Sequence, residues 1–497
     1  MANISDTWTL EEAAHLLNRA GFGGSPDDIE SLHRRGRRAA VEWLLTEEGS
    51  SPPAPKMGGK QRELFADLQE LRSPGNGLSA AERDRQRTEI QRKLARARRE
   101  DSLILLTWWM ERMRTTGTPL QEKMVFFWHD HFASSTQKVR RPDFMFRQNE
   151  LFRKHATGNF GALVKQVVTD PAMMLYLDSA QSNKKKPNEN FARELLELFT
   201  LGVGNYTEDD IKEAARAFTG YRLNRVNGEV THRARAWDEG EKQVLGAKGA
   251  FDGDAVVELI LKREACAGFI AKKVFEYFAY ENPSPQMVAV LGACLKEGDY
   301  ALKPLLRTIF LSEEFYSPEA MRTRIKSPVE FLIMLCKQLE VPLPPDRVMF
   351  QILEQLGQVP FLPPNVAGWD WGKAWINTNT LITRYHVAGL LTGAGGDLKM
   401  VMGSQANKMK LSNAAKRFLR AKVTKPDYER IAPRELREDP AKLVSALGER
   451  FFHYPLQEKD RKAFVAYAES KKGVIFTNTE VAELIHLMLS TPSYQLA

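Results

Sequence analysis

The sequence predicts a mainly α protein: a large helical-bundle-like architecture with one small β-hairpin inserted near residues 221–236. Three observations carry that expectation: apolar residues spaced three and four apart, capping signatures ahead of those stretches, and one Asn-Gly turn between short β-prone runs. With 497 residues and 43% hydrophobic side chains, the chain can build one large core or two to three ordinary domains without staples.

From the N-terminus, Thr9 and Glu12 have capping-box spacing, and Ala13, Leu16, Leu17 and Ala20 then recur at helical intervals as far as Gly21. Stretches 50–60 and 72–79 are rich in proline or glycine and read as loops or linkers. The run Arg83 to Arg99, within "RDRQRTEIQRKLARARRE", has good helix formers and few apolar residues, which reads as a solvated helix face. A phosphate-contacting surface is the rival reading, although the interleaved aromatics of a single-strand binder are missing. Helical periodicity recurs at 101–114, 255–279, 285–297, 301–311, 327–340 and 478–490. Thr207 with Asp210 repeats the capping device ahead of Ile211, Ala214, Ala215 and Phe218, and Gly220 closes that segment. In "YRLNRVNGEVTHRARAW", Asn227-Gly228 suits a type I′ turn between the runs carrying Leu223, Val226 and Val230. Three regions follow: 1–120, helical with loops and the basic helix; 121–395, the central core; and 396–497, a C-terminal helical region, all packed as one large unit.

The net charge of +8 comes largely from local clusters at His33–Arg38, Arg83–Arg99 and Lys184–Lys186, which permits polyanion binding without requiring it. The three cysteines lack metal-ligand spacing and cannot all pair within one chain, so a disulfide framework is not expected. No basic segment precedes an apolar one at the N-terminus, and no window of about 18 apolar residues occurs. The chain reads as soluble, unexported and cytoplasmic, with no membrane segment. Walker A, GxGxxG, HExxH, GxSxG and CxxC signatures are all missing, which weighs against ATP, nicotinamide and serine-hydrolase chemistry.

Three stretches carry candidate chemistry. In "MVFFWHDHFASS", a helix at about 100° per residue would turn His129 and His131 roughly 200° apart. They could share a metal only if the helix ends or unwinds near Asp130, whereas a strand would put both on one face. One histidine bonded in a core with the other facing a cleft is an equally good account. In "PNENFARELLELFTLGVGNYT", Glu189, Asn190, Arg193, Glu194 and Glu197 fill one arc of about 140° and apolar residues fill the rest. Asn188 suits the N-cap, and Gly202 or Gly204 the stop. Exposed i,i+4 ion pairs would explain that stripe, but so would a cleft lining whose carboxylates need an arginine or a metal. In "LGQVPFLPPNVAGWDWGKAWINTNTL", Trp369, Trp371, Trp375, Asn365, Asn377 and Asn379 suit stacking on sugar or peptide groups, or a loop pinned by its own tryptophans.

These stretches, together with "LLNRAGFGGSPDDIE", "FIAKKVFEYF", "RIKSPVEF" and "ELIHLMLSTPSYQ", occur in the order of a bacterial family of unknown function, DUF1800, which the chain resembles over nearly its whole length. The resemblance implies no established reaction. It implies export for many relatives and, through neighbouring genes, a candidate partner from a family resembling sulfatases and alkaline phosphatases. Many members that it resembles carry histidine where Phe199 stands and His-Asp where Trp237-Asp238 stands, so a metal site using those ligands would be reduced here.

Two functional expectations result. The first is a metal-dependent hydrolase: a divalent ion on His129 and His131, acid, base or anion-stabilising roles for Glu189, Arg193, Glu194 and Glu197, and a substrate surface of Asn190, Trp369, Trp371, Trp375 and Asn377. The second is a non-catalytic helical scaffold or binding protein that recognises an acidic protein partner or polyanion through Arg83–Arg99. A nucleic acid in that role would bind with steep salt dependence.

Overall fold

Local capping starts the helices where the spacing predicts. The Thr9 hydroxyl accepts the Glu12 N–H at 3.1 Å while the Glu12 carboxylate accepts the Thr9 N–H at 2.8 Å, and the helix Leu10–Ala20 ends at Gly21. Thr207 and Asp210 make the same reciprocal pair ahead of Glu208–Ala217. The computed structural model describes residues 8–46, 53–71, 78–395, 423–471 and 476–497. The loop expectations at 50–52 and 72–77, the first seven residues and the part of the C-terminal region at 396–422 lie outside them.

Among the described residues the chain is mainly helical, with two small antiparallel sheets and no helix long and apolar enough to cross a membrane. One buried apolar cluster extends from Ala13 to Tyr494 and takes side chains from all three stretches of sequence. Within it the helix Pro119–His131 is buried all round, enclosing Leu120, Met124, Val125, Phe126, Phe127 and Trp128 together with Glu122, Lys123, His129 and His131. The 255–279 periodicity divides into Gly253–Lys262 and Glu264–Phe278, with Arg263 extended between them (φ −76°, ψ 132°).

The basic run belongs to a long helix, Ala80–Thr115, opened by a Ser79–Glu82 capping box. Leu94 and Ala97 pack on Leu64 of the helix Gly59–Glu70 in a small separate cluster, so the run is docked rather than a free arm.

The predicted hairpin pairs β1 (Tyr221–Leu223) with β2 (Val230–His232). Its turn is not the expected two-residue type I′: the connection spans Asn224–Glu229, the Gly228 N–H bonds to the Asn224 carbonyl at 2.8 Å, and of Asn227-Gly228 only the glycine has positive φ. Arginines set this shape, Arg147 donating to the Asn227 carbonyl at 2.7 Å and Arg141 to that of Val226 at 3.1 Å. A two-residue turn with both φ angles positive occurs instead at Leu245-Gly246, joining β3 (Lys242–Val244) to β4 (Ala247–Gly249). There the Leu245 N–H is held by the Asp210 carboxylate at 2.6 Å.

Candidate functional site

The helix Pro119–His131 stays helical through His131 and leaves that conformation at Phe132 (φ −101°, ψ 53°), so its two histidines do diverge. His129 packs against Trp109, Phe361 and Trp369, with ring centroids 5.1, 5.0 and 5.7 Å away, and its Nε2 accepts the Phe361 N–H at 2.8 Å. Burial pushes its pKa down to about 3, which leaves a neutral ring with the proton on Nδ1. His131 faces the other way: Nε2 donates to the Phe199 carbonyl at 2.9 Å and Nδ1 accepts from Lys273 at 3.2 Å. Burial and the adjacent Lys273 charge hold its pKa well below the ordinary value. Between them, Asp130 accepts the Trp369 N–H and the Trp371 indole N–H, each at 2.8 Å. Burial raises this carboxyl to about 6 in spite of those donors.

Three consecutive residues thus hold three distant segments. A shared ion would have to displace the Phe361, Phe199 or Lys273 bonds and bring diverging rings together. Among the described residues no group of three or more His, Cys, Asp or Glu side chains is placed to hold a metal.

The acidic stripe begins as the helical turn Glu189–Glu194, with the Asn188 side chain accepting the Asn190 N–H at 3.0 Å. It then widens into a π-helical stretch, Leu195–Thr200, where the Leu201 N–H reaches the Leu196 carbonyl at 3.0 Å. That widening breaks the 100° register on which a single arc depends. Arg193 makes two 2.8 Å bonds to Glu208 and lies 3.6 Å from Glu189, while half-buried Glu197 accepts the Tyr206 hydroxyl at 2.6 Å. Burial and Glu197 raise the Glu194 carboxyl. Asn190 is exposed. Glu208 and Tyr206, both missed from the sequence, therefore complete this stripe. Asp238 is occupied too, bonded to Arg216 at 2.8 Å.

The tryptophan loop is pinned by its own side chains. Besides the Asp130 bonds, Trp371 packs edge-on against Tyr277 at 5.1 Å, and Arg324 stacks over it at 5.2 Å. Trp375 is buried, and Asn377 caps the helix Thr378–Thr392 by accepting the Thr380 N–H at 3.0 Å. Gly368 has φ +86°, and a Cβ there would fall 2.7 Å from the Asp130 carbonyl oxygen. Gly368→Ala is expected to destabilise the fold by about 1–3 kcal/mol, read as a lower urea midpoint. An unchanged midpoint would show that the loop does not need this close approach.

A cleft of about 750 Å³ opens beside this loop, between the basic helix, residues 136–142, the helix Asp346–Leu356 and Val359–Leu362. Its apolar lining includes Leu103, Leu106, Phe350, Val359, Phe361 and Leu362, and its charged lining is Arg98, Arg99, Arg140 and Arg347 against the single carboxylate of Glu354. The Arg98 Nε is buried without a hydrogen-bond partner, and burial together with Arg140 and Arg141 lowers that guanidinium's pKa. Two lining residues, Phe361 (φ +68°) and Arg140 (φ +56°), hold the left-handed backbone conformation that side chains disfavour. Phe361 is kept there by His129 on its N–H and by the Thr136 N–H and hydroxyl on its carbonyl, at 3.0 and 3.1 Å. The opening motif therefore fixes a wall of the cleft, while the basic run supplies its cations.

A family model described as a protein of unknown function (DUF1800) matches residues 15–496. No curated protein and no solved structure matches the chain. On that near-complete match, the chain belongs to the DUF1800 family.

Proposed function

We propose that the protein is a non-catalytic helical binding protein that takes an anionic partner in the arginine-rimmed cleft. The observation that carries this reading is the cleft's charge: Arg98, Arg99, Arg140 and Arg347 line it against the single carboxylate of Glu354, and Arg140 and Arg141 crowd Arg98. An anion in the cleft would relieve the repulsion that Arg140 and Arg141 exert on Arg98. Arg141 is already engaged by Asp143 at 2.8 Å, so the surplus charge lies with Arg98, Arg99, Arg140 and Arg347. The hydrolase reading gains no comparable support, because both His131 nitrogens, the His129 Nε2 and the Glu189 and Glu197 carboxylates bond to their own protein neighbours.

The test is binding of a labelled polyglutamate by fluorescence anisotropy, at low and high salt, to the parent and to Arg98→Gln/Arg140→Gln. Expected is affinity that falls with salt, as it does for exposed charges, and that is weakened about tenfold or more in the variant, equivalent to about 1.4 kcal/mol. Equal affinity in the two proteins would overturn the assignment to this cleft.

A further inference from the structure

We infer that the ligand of this cleft is a small amphiphilic anion: one carboxylate or phosphate head on an apolar chain. The inference rests on the reading of the cleft as an anion site and goes beyond it in the shape of the ligand.

Along the basic helix the lining passes from charged to apolar, from Arg98 and Arg99 through Ser102 to Leu103 and Leu106, while the facing helix brings Arg347, Phe350, Gln351 and Glu354. Arg98 and Arg99 share one turn, Arg140 is close enough to Arg98 to lower its pKa, and Arg347 acts on Glu100 of the same turn. Arg140 and Arg347 thus act on the turn that carries Arg98 and Arg99. Leu103 and Leu106 lie about 7 and 12 Å farther along the axis, at 1.5 Å per residue. Phe361 extends the apolar part, its ring 4.9 Å from that of Trp109, farther still along the helix. A cleft with a cationic end and an apolar end matches one charged head and one chain. Its volume of about 750 Å³ falls in the usual range for small-molecule sites, roughly 300–1,000 Å³.

Other anions fit less well. An acidic peptide such as polyglutamate can meet the arginines at the rim, but it carries amide groups along its whole length, and the apolar part would leave many of them without bonds if it entered farther. A nucleic-acid strand needs a run of aromatic faces interleaved with the cations, whereas the lining holds two aromatics, Phe350 and Phe361, and its apolar part is otherwise aliphatic. Both head groups match the guanidinium fork, so carboxylate and phosphate remain one chemistry until measured.

The test is calorimetric titration of the full chain, below micelle-forming concentrations, with octanoate, decanoate and dodecanoate. Dodecyl phosphate, dodecanol and a short polyglutamate are the comparison ligands. Expected is one anion per chain, tightening about fourfold per buried methylene, the equivalent of about 0.8 kcal/mol. Dodecanol should bind at least tenfold more weakly than dodecanoate, and Arg98→Gln/Arg140→Gln should remove that preference. Leu103→Gln should flatten the chain-length dependence, with the half-exposed Phe350→Gln as a second variant if the first unfolds. Whichever of dodecanoate and dodecyl phosphate binds tighter names the head. Polyglutamate binding without chain-length dependence would overturn the amphiphile and leave the anion reading standing. Failure of every anion would overturn both, and equal uptake of dodecanol would reduce the effect to partitioning.

Discussion

Glu330→Gln is expected to destabilise the native state by about 3–5 kcal/mol, because it removes one partner of a buried ion pair while keeping the side chain's shape. Glu330, on the helix Pro328–Gln338, is ion-paired with buried Lys123, and its field also reaches Arg19, Arg324, Lys326 and Arg384. Burial alone would raise its carboxyl, but Lys123 and Arg324 pull it well below the usual range. Burial lowers Lys123 to about 8 and Lys326 to about 7. Because the Glu330 pKa is lower folded than unfolded, its stabilisation is present above about pH 4.5 and is lost as the pH falls through the folded value. The lysines act with the same sign at higher pH, though burial rather than pairing is the cause: an unfolded chain binds more protons at those sites, so stability rises with pH over about 7–10. In Glu330→Gln that rise should steepen, since Lys123 loses the carboxylate that favours its charge. Urea unfolding at several pH values checks both points. A loss below about 1 kcal/mol at neutral pH would show that water, not Glu330, meets these cations.

What could be read from the sequence was what depends on near neighbours. The Thr9–Glu12 and Thr207–Asp210 boxes need only three residues of context, and the divergence of His129 and His131 needs only the helical turn. The missing information lay in long-range partners. His129 bonds a backbone N–H 232 positions away, so nothing beside it in the chain separates a ligand from a clasp. Arg19, Lys123, Lys326 and Arg384 look like surface charges in their own windows but meet in the core around Glu330. The stripe at Glu189–Glu197 was legible as amphipathic, yet its π-helical widening has no residue signature, and Glu208, which holds Arg193, lies past the loop. Asn227-Gly228 and Leu245-Gly246 show tertiary contacts overriding turn propensity in both directions, since arginines reshape one turn and Asp210 secures the other. For the cleft, the basic run and the irregular loop each stood out in the sequence, but their meeting across Thr136 and Phe361 did not.

Asp130→Ala is expected to loosen the tryptophan loop and to cost about 3–6 kcal/mol, since hydrogen bonds to charged groups contribute about 1.5–3 kcal/mol each and two are lost. The Trp369 N–H and Trp371 indole would be left without their acceptor, and Lys273 would keep only Glu276 as a nearby opposite charge. Trp371 is already half-exposed, so its emission should shift to the red while helical circular dichroism persists. The conservative Asp130→Asn isolates the charge. Burial raises the folded carboxyl to about 6, above its unfolded value, so between about pH 4 and 6 the folded protein holds a proton that the unfolded chain has released. Stability from this group is therefore full below about pH 4 and is lost as pH rises through 6. Asp170, raised to about 7 by burial, contributes with the same sign, so the informative quantity is the difference between parent and Asp130→Asn. That difference should depend on pH across this window, and the parent's tryptophan emission should titrate near 6 while the variant's does not. A parent emission that is flat from pH 4 to 7 would mean that the carboxylate stays ionised throughout, with the two donors and Lys273 outweighing burial.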